Sequence, residues 1–320
     1  MYKRILIVTM ILVLILNIPG FASNIIHIDQ VSPLDWAYVM QNGADNIADI
    51  EQAAAISNYA KTEQEGTDNE IDIDDQDAGT TNYAEVYQKG SKNDINIGQD
   101  AGTSNYAYIY QEDTGGIGND INIDQDAENE FNYVWINQQG YGNDIDIDQE
   151  AYSYNEAIVY LQKGYDNVIK IDQDSATAYN YAWLSQHDCW GRENFINLEQ
   201  DAYTYNYASV EQDGNYNKLV GAYSDGSIKY TAPATQNSSS DYNYLWSYQV
   251  GNSNEIGLYQ SASGSNSATI TQLNGGNSLA VYQISTGGSN TLIANQNGNA
   301  TATVIQTGSG NNIGTVTQGP

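Results

Sequence analysis

Strict period-two patterning between paired amides constrains this chain most. In Asn132 to Gln149, NYVWINQQGYGNDIDIDQ, two seven-residue segments, Asn132–Gln138 and Asn143–Gln149, flank the link Gln139-Gly140-Tyr141-Gly142. Each segment starts with Asn, ends with Gln and carries an apolar residue two and four places in. The inward set is therefore Asn132, Val134, Ile136, Gln138, Asn143, Ile145, Ile147 and Gln149. Alternation of this kind predicts a β-strand with one face turned to a core.

The unit begins at Asn24 (NIIHIDQ), follows at Asp35, Asn46 and Asn58, and continues to Asn206 with starts 11 to 14 residues apart. Units at Asn69 and Asn155 hold one extra residue before the Gln, which reads as a bulge. At Asn217 (NKLVGAY) the Gln is missing and Tyr223 stands in its place. Residues 224–242 are irregular, with only the weak segment Tyr230–Gln236 inside. Regular copies resume at Asn243. The unit from Asn299 again has an extra residue before Gln306, and Asn312 (NIGTVTQ) starts the last copy.

Two kinds of unit alternate. Acidic units such as NDINIDQ at Asn119 follow aromatic units such as NYAYIYQ at Asn105. A Gly-containing link follows each aromatic unit, and Gln-Asp-Ala or a close variant follows each acidic one. The true repeat is thus a strand pair of about two dozen residues, a period that signals a solenoid. The expected fold is all-β: a β-solenoid of stacked strand-turn-strand repeats, about twelve rungs at ~4.8 Å each, preceded by a signal-peptide helix. In it the inward amides Asn82, Gln88, Asn93, Gln99, Asn105, Gln111, Asn119, Gln125, Asn132, Gln138, Asn143 and Gln149 stack on their own copies. Each amide then satisfies the next, as burial requires. A meander of antiparallel hairpins is the alternative. It accounts less well for the alternating links.

The start of the chain reads as an address. Met1-Tyr2-Lys3-Arg4 is basic, Ile5–Ile18 is apolar apart from Thr9 and Asn17, and Pro19-Gly20-Phe21-Ala22 supplies small residues for a cut after Ala22. This is the pattern of a secretory signal peptide, 1–22, and predicts a secreted protein that meets a membrane only during export. The formal charge of −30 becomes two units more negative without Lys3 and Arg4, which speaks against nucleic acid as a partner. Residues 23–223 carry the acidic and aromatic repeats, 224–242 an insertion or linker, and 243–320 neutral repeats rich in Ser, Gly, Asn and Thr. The single cysteine, Cys189, excludes an internal disulfide.

The outward residues are the candidate functional ones. Asp120 and Asp124, then Asp144, Asp146 and Asp148, form rows of carboxylates in stacked rungs. They read as a solvated face, with weak Ca2+ binding as the functional alternative, since rows of hard oxygens suit that ion. No other cofactor is implied. Tyr83, Tyr106, Tyr133 and Tyr181 share one outward position, and Tyr108, Trp135 and Trp183 lie two places on. They read as cross-rung packing or as a sticky face. His187 and Cys189 share a long link but are too few for a metal site. No catalytic constellation emerges: two histidines lie far apart in the repeat series, and periodicity explains the carboxylates.

The pattern Asn-x5-Gln-x-Gly-x-x-Asn-x5-Gln resembles the curlin repeat of curli-type functional amyloid. It is carried by Asn82–Gln99 (NYAEVYQKGSKNDINIGQ), by Asn132–Gln149, by Asn155–Gln173 apart from its one-residue bulge and by Asn243–Gln260 (NYLWSYQVGNSNEIGLYQ), and more loosely by Asn266–Gln283. The resemblance implies an exported fibre subunit of the extracellular matrix. Its partners would be copies of itself, end to end, and related curlin-like subunits. More repeats, more acid and more tyrosine distinguish this chain from familiar curlins. The competing expectation is a monomeric solenoid adhesin or glycan-binding module. An enzyme ranks last.

Overall fold

In the computed structural model the described residues are 10–16, 24–30, 35–52, 58–74, 82–99, 105–113, 117–125, 127–129, 132–152, 156–173, 175–177, 181–187, 193–199, 202–203, 207–222, 228–229, 234–239, 245–308 and 310–319. They form a parallel β-solenoid and contain strands but no helix. Aromatic units make a 13-stranded sheet running from Met10–Leu16 through Trp36–Ala44 and Asn132–Tyr141 to Asn312–Gln318. Acidic units, followed by neutral ones in the C-terminal part, make the facing sheet, from Ile25–Gln30 through Asp120–Gln125 to Thr301–Thr307. Neighbouring copies pair in parallel and in register: Asn82, Tyr83 and Gln88 lie beside Asn105, Tyr106 and Gln111. The meander is therefore not the fold.

The sheets interdigitate side chains of unequal size. The acidic sheet contributes fully buried Ile71, Ile95, Ile121 and Ile145, while the third position of the aromatic units contributes small Ala60, Ala84, Ala107 and Ala157. Each buried Ile is worth about 1.5–3 kcal/mol against exposure, and a small residue opposite leaves it room.

The Gly link is a tight corner. Gly43, Gly66 and Gly90 have φ of 130°, 133° and 125°, a region open to glycine alone. Space forbids a side chain as well: a Cβ on Gly66 would lie 1.7 Å from the Gly90 carbonyl oxygen of the next rung. Asp45, Asp68 and Lys92 then take left-handed backbone before each acidic strand.

Several sequence expectations are corrected. The described part of the apolar leader is not helical: Met10–Leu16 is a strand, paired from Met10 beside Trp36 to Leu16 beside Asn42. Its backbone finds hydrogen bonds on the open edge of Trp36–Ala44, where a short apolar run meets a sheet rather than a bilayer. The residues around Ala22 lie outside those described. Tyr223, read as standing in for the missing Gln, also lies outside them. Ala234–Ser239 returns to the acidic sheet and sets Gln236 beside Gln260. Lys218–Ala222 holds the first half of that rung, with Val220 beside Gly257. Asn217-Lys218-Leu219-Val220 and Ala234-Thr235-Gln236 thus make one seven-residue unit, split by an insertion that includes a short antiparallel pairing of Gly221 with Lys229. The extra residue at Asn299 is not a bulge. Asn299 sits in the corner at φ 51°, and Ala300 takes the ladder place, donating its N–H to Asn277 Oδ1 at 3.2 Å. The bulge in the unit from Asn155 is real: pairing slips between Gln138–Leu161 and Gly140–Gly164. The extra residue of the unit from Asn69 lies outside the described part.

Candidate functional site

Four amides close each rung, two at each corner. At the Gly corner Gln88 Nε2 donates to the Glu70 carbonyl (3.3 Å) and Asn119 Nδ2 to the Gly140 carbonyl (3.0 Å). At the other corner Asn82 Nδ2 donates to the Gln99 carbonyl (3.5 Å), Asn105 to that of Gln125 (3.3 Å), and Gln99 and Gln149 to the carbonyls of Tyr83 and Tyr133 (both 3.3 Å). The same amides link rungs. Gln88 Nε2 reaches Gln111 Oε1 at 3.1 Å and Gln111 reaches Gln138 at 2.8 Å. Asn119 donates to Asn93 and Asn143 to Asn119 at 3.3 and 3.1 Å. Of Asn132 only the backbone is described. The bulge interrupts one ladder, because Leu161 lies beside Gln138 and leaves Gln138 Nε2 without a partner.

On the aromatic sheet the outward row is a stack of nearly parallel rings. Trp36–Tyr59, Tyr59–Tyr83, Tyr83–Tyr106 and Tyr106–Tyr133 have centroids 4.3, 4.5, 4.6 and 5.4 Å apart. Glu156 takes this position in the next rung, and Tyr181–Tyr207 resumes the stacking at 5.0 Å beyond it. The sequence reading missed Trp36 and Tyr59, although both share the phase of Tyr83. The second row is less regular. Tyr108 meets Trp135 edge-on at 6.0 Å, but Ile158 separates Trp135 from Trp183, and Tyr160 bridges them at 5.4 and 6.1 Å. Trp183 remains 42% exposed. Lys61 in this row binds Glu85 (2.7 Å) and Glu63 (3.3 Å), and the hydrogen bond to Glu85 raises its pKa. Tyr83 donates to the same Glu85 at 2.6 Å. Burial first, and that bond second, push the phenol pKa up.

On the acidic sheet Asp94, Asp120 and Asp144 stand directly beside one another, as do Asp124 and Asp148. Asp146 is neutralised by Lys170 at 2.9 Å. Partial desolvation, then neighbouring charges, push Asp148 up to about 6 beside Asp172 and Asp124, and Asp72 up to about 6 beside Asp74 and Asp49. Asp94 and Asp120 shift the same way for the same first cause. Among the described residues no three His, Cys, Asp or Glu side chains converge as a metal site. Cys189 lies outside the described residues, and of His187 only the backbone is described.

No family model matches this chain, and no curated protein matches it.

Proposed function

We propose that this chain is an exported structural subunit that assembles end to end into amyloid-like extracellular fibres, of a biofilm matrix or a cell surface, as its likeness to curlin repeats suggests. The supporting observation is that its rungs repeat in parallel and in register, amide over amide, up to edges that remain open. Thr301–Thr307 and Asn312–Gln318 leave the core residues Ala302, Val304 and Val316 only partly buried. A solenoid edge of this kind templates further strands. No catalysis and no required cofactor belong to the proposal. Electron microscopy and fibre diffraction of the exported protein test it. Fibres with an axial spacing of ~4.8 Å are expected, and rods that stay monomeric at high concentration overturn it.

One observation favours the second reading, a glycan-binding surface module. Trp183 and Trp246 flank Ser209 on consecutive rungs, and with Tyr160, Tyr207 and Glu211 they line a hollow on the aromatic face. Two rings separated by a small hydroxyl residue suit the faces of a sugar. Affinity electrophoresis in polysaccharide gels checks it: retardation lost in Trp183→Ala supports the module, and equal mobility with and without polysaccharide removes it.

A further inference from the structure

The two ends of the stack are complementary half rungs, and we propose that they join copies of this chain in a polar lap joint whose slot the leader strand fills before processing. The proposal rests on the fibre reading and specifies its contact. At the N-terminal end Ile25–Gln30 belongs to the acidic sheet, and the strand completing its rung in the aromatic sheet is Met10–Leu16. Remove the leader and the rung is half built, with the edge of Trp36–Ala44 open beside Ile25–Gln30. At the C-terminal end the order is reversed. Asn290–Asn297 and Thr301–Thr307 complete a rung, and among the described residues Asn312–Gln318 then extends the aromatic sheet with no acidic-sheet strand completing its rung. Asn312–Gln318 of one copy fits the slot beside Ile25–Gln30 of the next, and the two halves make one rung.

The amides set the register. Gln64 Nε2 donates to the Ile47 carbonyl (2.9 Å) and to Gln88 Oε1 (3.1 Å), and Gln296 likewise to the Ser278 carbonyl (3.3 Å) and Gln318 Oε1 (3.1 Å). Gln318 repeats the first bond, to the Thr301 carbonyl at 3.2 Å. Its second N–H is then available at the open edge. At the other end Gln41 is fully buried, yet its Oε1 has no partner. Its neighbour in the leader strand is Ile15, a residue type with no side-chain donor. A buried acceptor without a donor is costly, and Gln318 of a second copy supplies the donor. Setting Gln318 over Gln41 places Val316 over Val39, Thr315 over Tyr38 and Ile313 over Trp36. In the acidic sheet it places Val304 over Ile28. Among the described residues the hydrophobics only partly buried against the core are those of these two edges: Ile26, Ile28, Ala302, Val304 and Val316. Ile313, 76% exposed, gains the Trp36 ring as its cover.

The joint is heterologous, so it generates an open, polar filament. The leader strand occupies the same slot, so the unprocessed chain is blocked at that end.

Disulfide trapping tests this on the exported protein carrying Cys189→Ser. Opposed Cα atoms in paired strands lie ~4.8 Å apart, within reach of a disulfide. Mixing Tyr38→Cys and Thr315→Cys proteins under mild oxidation is expected to give a covalent dimer. Tyr38→Cys with Thr317→Cys, two residues out of register, is expected to lose it. So is full-length Tyr38→Cys protein that retains its leader, mixed with exported Thr315→Cys. Gln318→Leu is expected to slow elongation about tenfold, the effect of one buried acceptor left without a donor, with an unchanged circular dichroism spectrum. Fibres that grow without the matched crosslink overturn the joint and leave the fibre reading standing. Matched dimers from a protein that forms no fibres support the joint and overturn that reading. Equal yields from matched and shifted pairs overturn the joint.

Discussion

At Gly66 one methyl group decides whether two rungs can close. Its φ of 133° and the Gly90 oxygen 1.7 Å from any added Cβ leave Gly66→Ala no relaxed geometry. That substitution is expected to cost about 3 kcal/mol or more in urea unfolding. Gly308→Ala, at the open edge with nothing within 4 Å, is expected to cost only about 1 kcal/mol, from its φ of 112°. The amides are as position-specific. Gln88 accepts from Gln64 and donates to Gln111 and the Glu70 carbonyl. Gln88→Leu takes one buried hydrogen bond from each of those partners, and about 2–4 kcal/mol of stability is expected to go. The acidic row adds a pH dependence. Asp72 and Asp148 are held at about 6 against an ordinary 3.8, by desolvation first and like charges second. The folded state binds those protons more tightly than the unfolded chain. The stabilisation is therefore full below about 3.8 and lost as pH rises through about 6. Melting temperature is expected to be higher at pH 5 than at pH 7.5, and Asp148→Asn to raise the value at pH 7.5 and narrow the gap. A melting temperature that climbs with pH across that window rules this out.

Individual strands owe their placement to what lies beside them. Lys218–Ala222 ends early because the rung is finished by a segment that returns after an excursion, and register fixes where the halves meet. Val220 lies beside Gly257, and Thr235 beside Tyr259. Excising residues 221–233 joins Val220 to Ala234 and restores the unit NKLVATQ. Ala234 is already buried beside Leu198. The excised chain is expected to melt within a few degrees of the parent in a thermal scan, since Ala234 takes the ladder place that Gly221 holds beside Leu258. A collapse in melting temperature shows that the excursion holds the stack together. The strand that carries the bulge, Ala157–Tyr165, behaves differently. It keeps its core residues Ala157 and Val159 in phase but shifts the Gln, which is why one amide ladder is cut at Gln138.

As a whole the molecule is a stack with unlike ends and unlike faces, charged along one sheet and aromatic along the other. Like carboxylates on consecutive rungs repel, and assembly brings several such acidic faces close together. Salt, Ca2+ or mild acid is therefore expected to shorten the lag of fibre growth followed by light scattering. Equal growth curves in all conditions count against an acidic face that restrains assembly. The amino-acid sequence by itself determined the class of fold. Period two, the Asn-to-Gln spacing and the alternating links force two facing sheets with amides turned inward, because each of those signals is local to one unit. It also placed Tyr83, Tyr106 and Tyr133 on one face, and Asp120 with Asp144 on the other. The tertiary structure alone decided what depends on neighbours from other rungs. Gln236 completes the interrupted unit, because pairing with Glu255–Ser263 selects it across an insertion that sequence spacing cannot bridge. Ile158 parts Trp135 from Trp183, because a row is defined by register between rungs. Gln41 is left without a donor at one end, because only the closed stack shows where its ladder stops.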